Sequence, residues 1–185
     1  MAGSNEVLLV RHGETDDNAA DRFQGRLDTQ LNERGRAQSH ALARRLRDEG
    51  LRALYTSPLA RARETARIVG EALGLEPVVD ERLVEADTGD WSGLLYADVI
   101  AANPRAFERW RAVDPTFRFP GGESVAEQAA RVAAALARVA AGALPALVVT
   151  HGGSIRAVEG IDRPPGAAVG NCALFRLPPP APSRP

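Results

Sequence analysis

Two short apolar runs in the sequence, VLLV at residues 7–10 and ALVVT at residues 146–150, lead into the polar triplets RHG and HGG. Apolar runs of this length are typical of strands that are buried on both faces, as in a parallel sheet. Parallel strands end at the same edge of a sheet, and ligands bind at that edge in layered α/β folds. We therefore expect the two histidines, His12 and His151, to meet at one edge.

Strand and helix signals alternate along the chain. Apolar runs predict strands over residues 6–10, 53–56, 77–79, 146–150 and 172–177. Apolar residues at helical spacing predict helices over residues 33–49, 58–74 and 125–139. Ser57 is expected to cap the second of these helices, and Ser124 forms a capping-box pattern with Glu127 at the start of the third. This alternation predicts an α/β layered fold with a largely parallel sheet.

Residues 87–122 follow no clear period and contain both tryptophans with most of the other aromatic residues. We expect this segment to form an insertion or lid on a single domain that spans residues 1–177. The tail, residues 178–185, is rich in proline and is expected to be disordered.

The composition argues against several classes of function. The net charge is −1, whereas general nucleic-acid binders carry a basic excess. All 23 basic residues are arginine, which excludes a Schiff-base lysine and a P-loop. The single cysteine, Cys172, cannot form an internal disulfide, and no apolar run approaches the ~20 residues that span a bilayer. We expect a cytoplasmic protein that acts on a small molecule and contacts neither nucleic acid nor membrane.

Several residues near the predicted strand ends suit a phosphate group. Arg11 and Arg61 could bind phosphate oxygens in a bidentate manner, and Arg61 lies near a helix start, which also favours an anion. Nearby positive charge lowers the pKa of a histidine such as His12 or His151 and keeps its imidazole neutral, as a nucleophile requires. Glu85, after the third predicted strand, is placed to supply a proton to a leaving oxygen. These residues indicate phosphoryl transfer through a histidine.

Two other interpretations of the histidines stay open at this point. A single His-Gly pair after a strand is more often an ordinary turn than part of a catalytic site. A zinc site could also combine His12, His40 and His151, although Arg11 would repel a cation and no two histidines are spaced four residues apart.

The segment RHGETDDN, residues 11–18, resembles the signature of the histidine phosphatase superfamily, also called the phosphoglycerate mutase-like family. Further segments fit its pattern in the same order: FQGRLDTQLNERGRAQ, YTSPLARARETA, VEADTGDWSG and VTHGGSIR. The segment FPGGESVAEQAARV resembles the corresponding segment in the phosphatase branch of the family, which includes broad-specificity and α-ribazole phosphatases. The resemblance covers residues 6–175 and implies a three-layer α/β/α sandwich.

The resemblance also implies a role for each motif residue. His12 would be the nucleophile that becomes phosphohistidine, and Glu85 would act as the acid for the leaving alcohol and then as the base for water. Arg11, Arg61 and His151 would bind the phosphate. Four further residues would complete the phosphate and substrate pocket: Asn18, Gln24, Gly25 and Gly152. No metal or other cofactor would be needed, because arginines and histidines supply the charge that Mg²⁺ supplies elsewhere.

The resemblance favours a metal-independent phosphatase for a small phosphomonoester over two alternatives, a phosphoglycerate mutase and a non-catalytic protein that binds a phosphorylated ligand. The family's mutases are longer than this chain. The substrate's alcohol is left open, because residues 157–170 form a shorter segment than in relatives and Ser92 replaces a commonly acidic residue. Four arginines of residues 87–122 could bind a second anionic group or face solvent: Arg105, Arg109, Arg111 and Arg118. A homodimer is a further expectation.

Overall fold

Five strands form one sheet in the computed structural model, which describes residues 6–158 and 168–177. They are β1 (Val7–Arg11), β2 (Ala53–Thr56), β3 (Pro77–Val79), β4 (Ala146–Thr150) and β5 (Leu174–Leu177). Their order in the sheet is β3-β2-β4-β1-β5. β5 is antiparallel to β1, and the other neighbouring strands are parallel. The prediction of a largely parallel sheet is therefore confirmed.

Helices cover both faces of this sheet. The described ranges contain α1 (Asp16–Ala19), α2 (Glu33–Arg45), α3 (Ala60–Leu73), α4 (Tyr96–Ala102), α5 (Pro104–Arg111), α6 (Val125–Ala140) and α7 (Gly152–Arg156). Side chains of α2 and α3 pack on one face of the sheet, and those of α6 and α7 pack on the other. The predicted three-layer α/β/α class is confirmed.

β1 shows why its sequence is apolar throughout. Leu8 and Val10 pack against the layer of α2 and α3, whereas Val7 and Leu9 pack against the layer of α6 and α7. The strand pairs in parallel with β4, in a register that sets the last residue of β1 beside the last residue of β4. The residues that follow these two strands therefore lie next to each other at the carboxyl end of the sheet.

α3 starts later than predicted. It begins at Ala60, and its N-cap residue, Leu59, makes no side-chain capping hydrogen bond. The predicted cap at Ser57 is wrong: the Ser57 hydroxyl accepts from the N–H of the N-cap residue itself, Leu59, and lies 2.6 Å from Nε2 of His151. The predicted end is confirmed by Gly74, which adopts the left-handed conformation that commonly terminates a helix.

Three other boundaries of helices and strands can be compared with the predicted ones. α2 stops at Arg45, earlier than predicted, and the next residues form turns. β5 begins at Leu174, because Cys172 has a φ of 55°, which is incompatible with a strand. α6 begins with the predicted capping box, in which the side chains of Ser124 and Glu127 accept from each other's backbone N–H groups.

Residues 87–122 contain two short α-helices, α4 and α5, a 3₁₀ helix over Gly89–Trp91 and most of an aromatic cluster. Seven rings belong to this cluster: Phe23, Trp91, Tyr96, Phe107, Trp110, Phe117 and Phe119. Their neighbouring centroids lie 4.4 to 6.4 Å apart in tilted or edge-to-face arrangements, which are favourable for aromatic pairs. The segment is thus packed around a core of its own, and its role as a lid stays a prediction.

The domain boundaries also stay a prediction. The tail, residues 178–185, and part of the segment 157–170 lie outside the described residues. Within the described ranges, no helix combines the length and the apolar character needed to cross a membrane.

The loop that follows β1 is held against α2 by two glycines. A Cβ atom on Gly35 would lie 2.1 Å from the carbonyl oxygen of Glu14, and one on Gly13 would lie 2.4 Å from the carbonyl oxygen of Gly35. The Asn32 N–H also donates to the Glu14 carbonyl oxygen at 3.0 Å. Because neither glycine leaves space for a side chain, this contact fixes the position of the loop that carries His12.

We predict that Gly35→Ala lowers the free energy of unfolding by about 1–3 kcal/mol, because the new methyl group must push the loop away from α2. Urea denaturation followed by tryptophan fluorescence measures this change. Gly170→Ala is the matched control, since a Cβ atom there meets no atom of the described residues within 4 Å, and it should change stability by less than about 0.5 kcal/mol. Equal stability of the two variants would contradict the prediction.

Candidate active site

The loops at the carboxyl end of the sheet enclose a cavity of about 400 Å³. All but one of the predicted site residues line it: Arg11, His12, Asn18, Gln24, Gly25, Arg61, Glu85 and Gly152. His151 does not line the cavity, but its ring centroid lies 5.2 Å from that of His12. The fold therefore brings the predicted residues together in one region.

The two ring nitrogens of His12 have different partners. Nδ1 lies 2.6 Å from the Gly13 carbonyl oxygen, which can only accept, so Nδ1 carries the hydrogen. Nε of Arg61 donates to Nε2 of His12 at 3.2 Å, so Nε2 presents a lone pair. Burial, followed by the charges of Arg61 and Arg11, lowers the pKa of His12 well below its ordinary value of 6.5. The imidazole is therefore neutral at neutral pH.

Arg61, in the first turn of α3, is 1% exposed. Its Nη1 donates to the Leu27 carbonyl oxygen at 2.7 Å, and its Nη2 donates to the Gly25 carbonyl oxygen at 2.8 Å. Burial lowers its pKa to about 10, so it stays positively charged at neutral pH. Gly25 thus contributes a carbonyl oxygen that orients this guanidinium.

Arg11, the last residue of β1, places a second guanidinium in the cavity. Its Nη1 donates to the Val169 carbonyl oxygen at 2.5 Å. Its Nε is buried and has no hydrogen-bond partner among the described residues. Gly152 packs against this guanidinium, since a Cβ atom on it would lie 3.5 Å from Nε of Arg11. Because buried donors are normally hydrogen-bonded, this N–H is suited to bind an anion.

His151 is fully buried and is the N-cap residue of α7. Its Nε2 lies 2.6 Å from the Ser57 hydroxyl oxygen, which accepts from the Leu59 N–H at 3.3 Å. Nε2 is therefore hydrogen-bonded, as donor or as acceptor according to the tautomer, and the other ring nitrogen is Nδ1. That Nδ1 is buried without a partner in the described part of the chain. Burial, followed by the charge of Arg61, lowers the pKa of His151 well below 6.5.

The Glu85 carboxylate is held by donors from three directions. Its Oε1 accepts from the Ala86 N–H at 2.9 Å and from Nε2 of Gln128 at 2.8 Å. Its Oε2 accepts from the Gly153 N–H at 2.9 Å. A Cβ atom on Gly153 would lie 2.5 Å from Oε1, so only glycine lets the carboxylate approach α7 this closely.

Asn18 and Gln24 hold the loops that form one wall of the cavity. Oδ1 of Asn18 accepts from Nδ2 of Asn171 at 3.0 Å and from the Thr15 N–H at 3.3 Å. Oε1 of Gln24 accepts from the hydroxyls of Thr15 and Thr29 at 3.0 and 2.5 Å. For both residues, a direct contact with bound phosphate stays a prediction.

The residues that hold the site in place but are absent from the predicted set include Thr65, Asn171 and Gln128. Thr65 accepts from the Gly13 N–H at 3.0 Å. Its position one helical turn after the predicted arginine of α3 is a signal that could have identified it. Asn171 donates from Nδ2 to the His12 carbonyl oxygen at 3.1 Å, and Gln128 contacts the predicted carboxylate from a distant helix. No local sequence pattern marks either of these two residues.

The outer part of the cavity is largely aromatic. Tyr96 and Trp110, both half-buried, line it with the more deeply buried Phe23 and Phe107. Arg156 lies over the Trp110 ring at 4.6 Å from the centroid, within the range of a cation–π contact. Burial raises the pKa of Tyr96, so its hydroxyl remains a hydrogen-bond donor at neutral pH.

The four arginines singled out in residues 87–122 have different surroundings. Arg111 lines the cavity, and the other three do not. Arg109, Arg111 and Arg118 each bind a nearby carboxylate: Asp114, Glu108 and Glu127, respectively. Arg111 is therefore the member of this group that is placed to meet a bound molecule.

The described residues lend no support to the zinc alternative. Within residues 6–158 and 168–177, no three His, Cys, Asp or Glu side chains lie together as a set of metal ligands. His40 lies on the exposed side of α2, whereas the other two histidines are buried beside arginines that would repel a cation.

The geometry suits phosphoryl chemistry. Arg11 and Arg61 supply N–H groups and positive charge for a tetrahedral dianion, and the neutral imidazole of His151 lies beside them. His12 offers a neutral imidazole with its lone pair on Nε2, which a nucleophile requires. Glu85 lines the same cavity and can exchange a proton with a bound molecule.

Known proteins of similar sequence include two phosphatases and one mutase. Phosphoserine phosphatase 1 of Hydrogenobacter thermophilus is 42% identical over 69% of this chain and 60% of that protein, so this chain spans three fifths of its length. A glucosyl-3-phosphoglycerate phosphatase of Mycobacterium tuberculosis is 40% identical over 84% of this chain and 74% of that protein. A probable phosphoglycerate mutase of Yersinia enterocolitica is 37% identical over 93% of this chain and 84% of that protein.

Solved structures share the fold. Mycobacterial glucosyl-3-phosphoglycerate phosphatase in complex with VO3 is 37% identical and covers 92% of this chain and 90% of its own, with a TM-score of 0.84. The α-ribazole phosphatase of Shigella flexneri is 28% identical and covers 82% of this chain and 76% of its own, with a TM-score of 0.70. The sequence model that defines the histidine phosphatase superfamily (branch 1) matches residues 7–162. The resemblance found in the sequence is confirmed: the chain belongs to branch 1 of the histidine phosphatase superfamily.

Proposed function

We propose that this protein is a metal-independent phosphatase that hydrolyses a small-molecule phosphomonoester through a phosphohistidine at His12. The observation that carries the proposal is the chemical form of His12. Its imidazole is buried and neutral, and the lone pair on Nε2 accepts a hydrogen bond from the guanidinium of Arg61. Such a group is a nucleophile placed where arginines would bind the phosphate under attack.

In the first step, Nε2 of His12 attacks phosphorus, and the bond from phosphorus to the ester oxygen breaks. Glu85 donates a proton to that oxygen, so the alcohol leaves in its neutral form. Arg11 and Arg61 bind the non-bridging oxygens and stabilise the charge that they carry. The hydrogen on Nδ1 stays in its bond to Gly13, which stabilises the positive charge on the phosphorylated ring.

In the second step, water attacks phosphorus and transfers a proton to the Glu85 carboxylate. The bond from phosphorus to Nε2 breaks, and its electron pair returns to His12. Inorganic phosphate leaves, and both side chains recover their starting states. Arg11 and Arg61 supply positive charge throughout, so the reaction requires no metal ion.

The relatives support this assignment. Two of them are a phosphoserine phosphatase and a glucosyl-3-phosphoglycerate phosphatase, and the second has been solved with VO3, a phosphate-like oxyanion. We infer from them a small phosphate ester as the substrate class. We further propose a cytoplasmic enzyme that requires neither nucleic acid nor membrane, in keeping with its net charge of −1, and a homodimer stays a prediction.

A phosphoglycerate mutase is the second candidate, because the Yersinia relative carries that name and matches 93% of this chain. A mutase returns the phosphoryl group from His12 to a second hydroxyl of the same substrate and must keep water away from the phosphohistidine. A phosphatase releases inorganic phosphate. The two activities therefore differ in the product that accumulates.

We predict that His12→Ala lowers phosphate release by more than about a thousandfold, because the nucleophile is lost. Brief exposure of the wild type to a ³²P-labelled ester should give an acid-labile phosphoenzyme, which the variant does not form. His40→Ala, on the exposed side of α2, is the control and should retain activity. A variant at His12 that keeps most of its activity would overturn the proposal, and an unlabelled wild type would favour a non-catalytic binding protein.

A panel of phosphomonoesters assayed in EDTA tests the metal independence and the reaction type together. The panel includes p-nitrophenyl phosphate, phosphoserine, 3-phosphoglycerate and sugar phosphates. We expect inorganic phosphate at the same rate with and without the chelator, because arginines hold the phosphate. Isomerised phosphoglycerate that forms faster than free phosphate would establish the mutase instead, and activity lost in EDTA and restored by a divalent cation would contradict metal independence.

Stability should fall on acidification, because both active-site histidines are buried in the neutral form. Below pH 6.5, the ordinary pKa of histidine, the unfolded chain binds protons at His12 and His151 that the folded chain does not. The free energy of unfolding should therefore decrease as the pH falls from 6.5, by up to about 1.4 kcal/mol per pH unit for each histidine. The pKa of Asp80 is lowered from 3.8 to about 2 by hydrogen bonds from Arg82. Protonation of Asp80 therefore lowers the free energy of unfolding further, between about pH 4 and pH 2.

Urea denaturation between about pH 7.5 and 5 measures this dependence. His12→Gln should reduce the slope of the free energy of unfolding against pH by the contribution of one proton, because the unfolded variant no longer binds a proton at this position. A wild-type free energy that does not change across this range would contradict the assignment of neutral buried imidazoles.

A further inference from the structure

The two oxygens of the Glu85 carboxylate have unequal numbers of donors. Oε1 accepts from the Ala86 N–H at 2.9 Å and from Nε2 of Gln128 at 2.8 Å, with the Ser154 hydroxyl more distant at 3.5 Å. Oε2 accepts from the Gly153 N–H at 2.9 Å. A carboxylate oxygen has two lone-pair positions, so the two close donors fill those of Oε1 and leave one position on Oε2.

A proton on Glu85 must therefore sit on Oε2 as long as both donors to Oε1 are in place. One of these donors is a backbone N–H, adjacent to Glu85 itself, which any side chain at position 86 would supply. The other is the side-chain amide of Gln128, which comes from α6 and is the donor that a substitution can remove. The choice of oxygen thus depends chiefly on the Gln128 amide, because the other side-chain donor, the Ser154 hydroxyl, is more distant at 3.5 Å.

Gln128 is rigidly placed for this contact. It is 3% exposed, lines the cavity and lies in the first turn of α6, directly after the capping box. One turn further along, Arg131 donates to the backbone carbonyl oxygens of Val84 and Glu85 at 2.5 and 3.1 Å. The helix that carries the amide is therefore tied to the backbone that carries the carboxylate.

We propose that Gln128 is a positioning residue, whose amide occupies Oε1 of Glu85 and so directs the catalytic proton to Oε2. This inference rests on the proposed function, in which Glu85 protonates the leaving alcohol. Without the amide, Oε1 has a free lone-pair position, the proton divides between two oxygens, and the carboxyl group can rotate. Proton transfer to the ester oxygen then becomes slower, whereas binding of the phosphate group by the arginines is unchanged.

The test compares two esters that depend differently on the proton. An alkyl ester, glycerol phosphate, needs an acid for its leaving alcohol, whereas p-nitrophenyl phosphate releases a stable phenolate. We measure kcat/KM, which reports the phosphorylation of His12, for Gln128→Met, Glu85→Gln and the double variant. Gln128→Met should lower kcat/KM about tenfold for glycerol phosphate and less than about threefold for p-nitrophenyl phosphate. We call the difference between the two losses the split between the esters. Glu85→Gln should show a larger split in the same direction.

The double variant should be no slower than Glu85→Gln alone, because the amide acts through the carboxyl group. Gln128→Asn, which keeps the amide but shortens its reach, is a second variant with the same expected split. Val132→Ala is the matched control on α6, since Val132 is buried in the sheet-facing core and should lower stability without separating the two esters.

The outcomes distinguish this inference from the proposed function. Equal losses for the two esters in both Gln128 variants, or losses that multiply in the double variant, would overturn the positioning role while leaving Glu85 as the acid. The absence of any split in Glu85→Gln would overturn the acid role and the positioning role together. A split in the Gln128 variants that vanishes in the Glu85→Gln background supports the inference.

Discussion

The parallel pairing of β1 with β4 is the constraint on which the site depends. It places the ends of the two strands in register, so the His12 N–H donates to the Thr150 carbonyl oxygen at 3.0 Å. A shift of one residue would turn the polar side chains that follow the strands toward the opposite layer. The apolar side chains of both strands prevent such a shift, because each face of the sheet is buried beneath helices. The core thus sets the geometry of the site.

The site concentrates positive charge that the protein has to stabilise before any ligand binds. Burying a guanidinium is unfavourable unless its N–H groups are hydrogen-bonded. Arg61 meets this requirement with two backbone carbonyl oxygens, and Arg11 meets it in part with another. Carbonyl oxygens satisfy the donors without neutralising the charge, as a carboxylate would. Both arginines therefore remain able to attract a phosphate dianion, and the same charges keep the neighbouring imidazoles neutral.

The sequence predicts those parts of the molecule that follow from local patterns. The apolar runs and the capping box at Ser124 depend on adjacent residues, and the structure confirms them. The start of α3 at Ala60 does not follow from a local pattern, because the Ser57 side chain contacts a distant histidine, His151, and does not cap the helix. Gln128 and Asn171 reach the site across long stretches of chain. Such contacts are determined by the packing of helices on the sheet, which no local pattern encodes.

The two histidines show how packing gives different chemistry to similar sequences. Both follow apolar strands and precede glycine, but a carbonyl oxygen faces Nδ1 of His12, whereas the Ser57 hydroxyl faces Nε2 of His151. The carbonyl can only accept, so His12 keeps its lone pair on Nε2 and can attack phosphorus. The Ser57 hydroxyl instead engages Nε2 of His151, and Nδ1 of that ring is buried without a partner among the described residues. The neighbours of each ring, and not the motif alone, thus give the two histidines different hydrogen bonds.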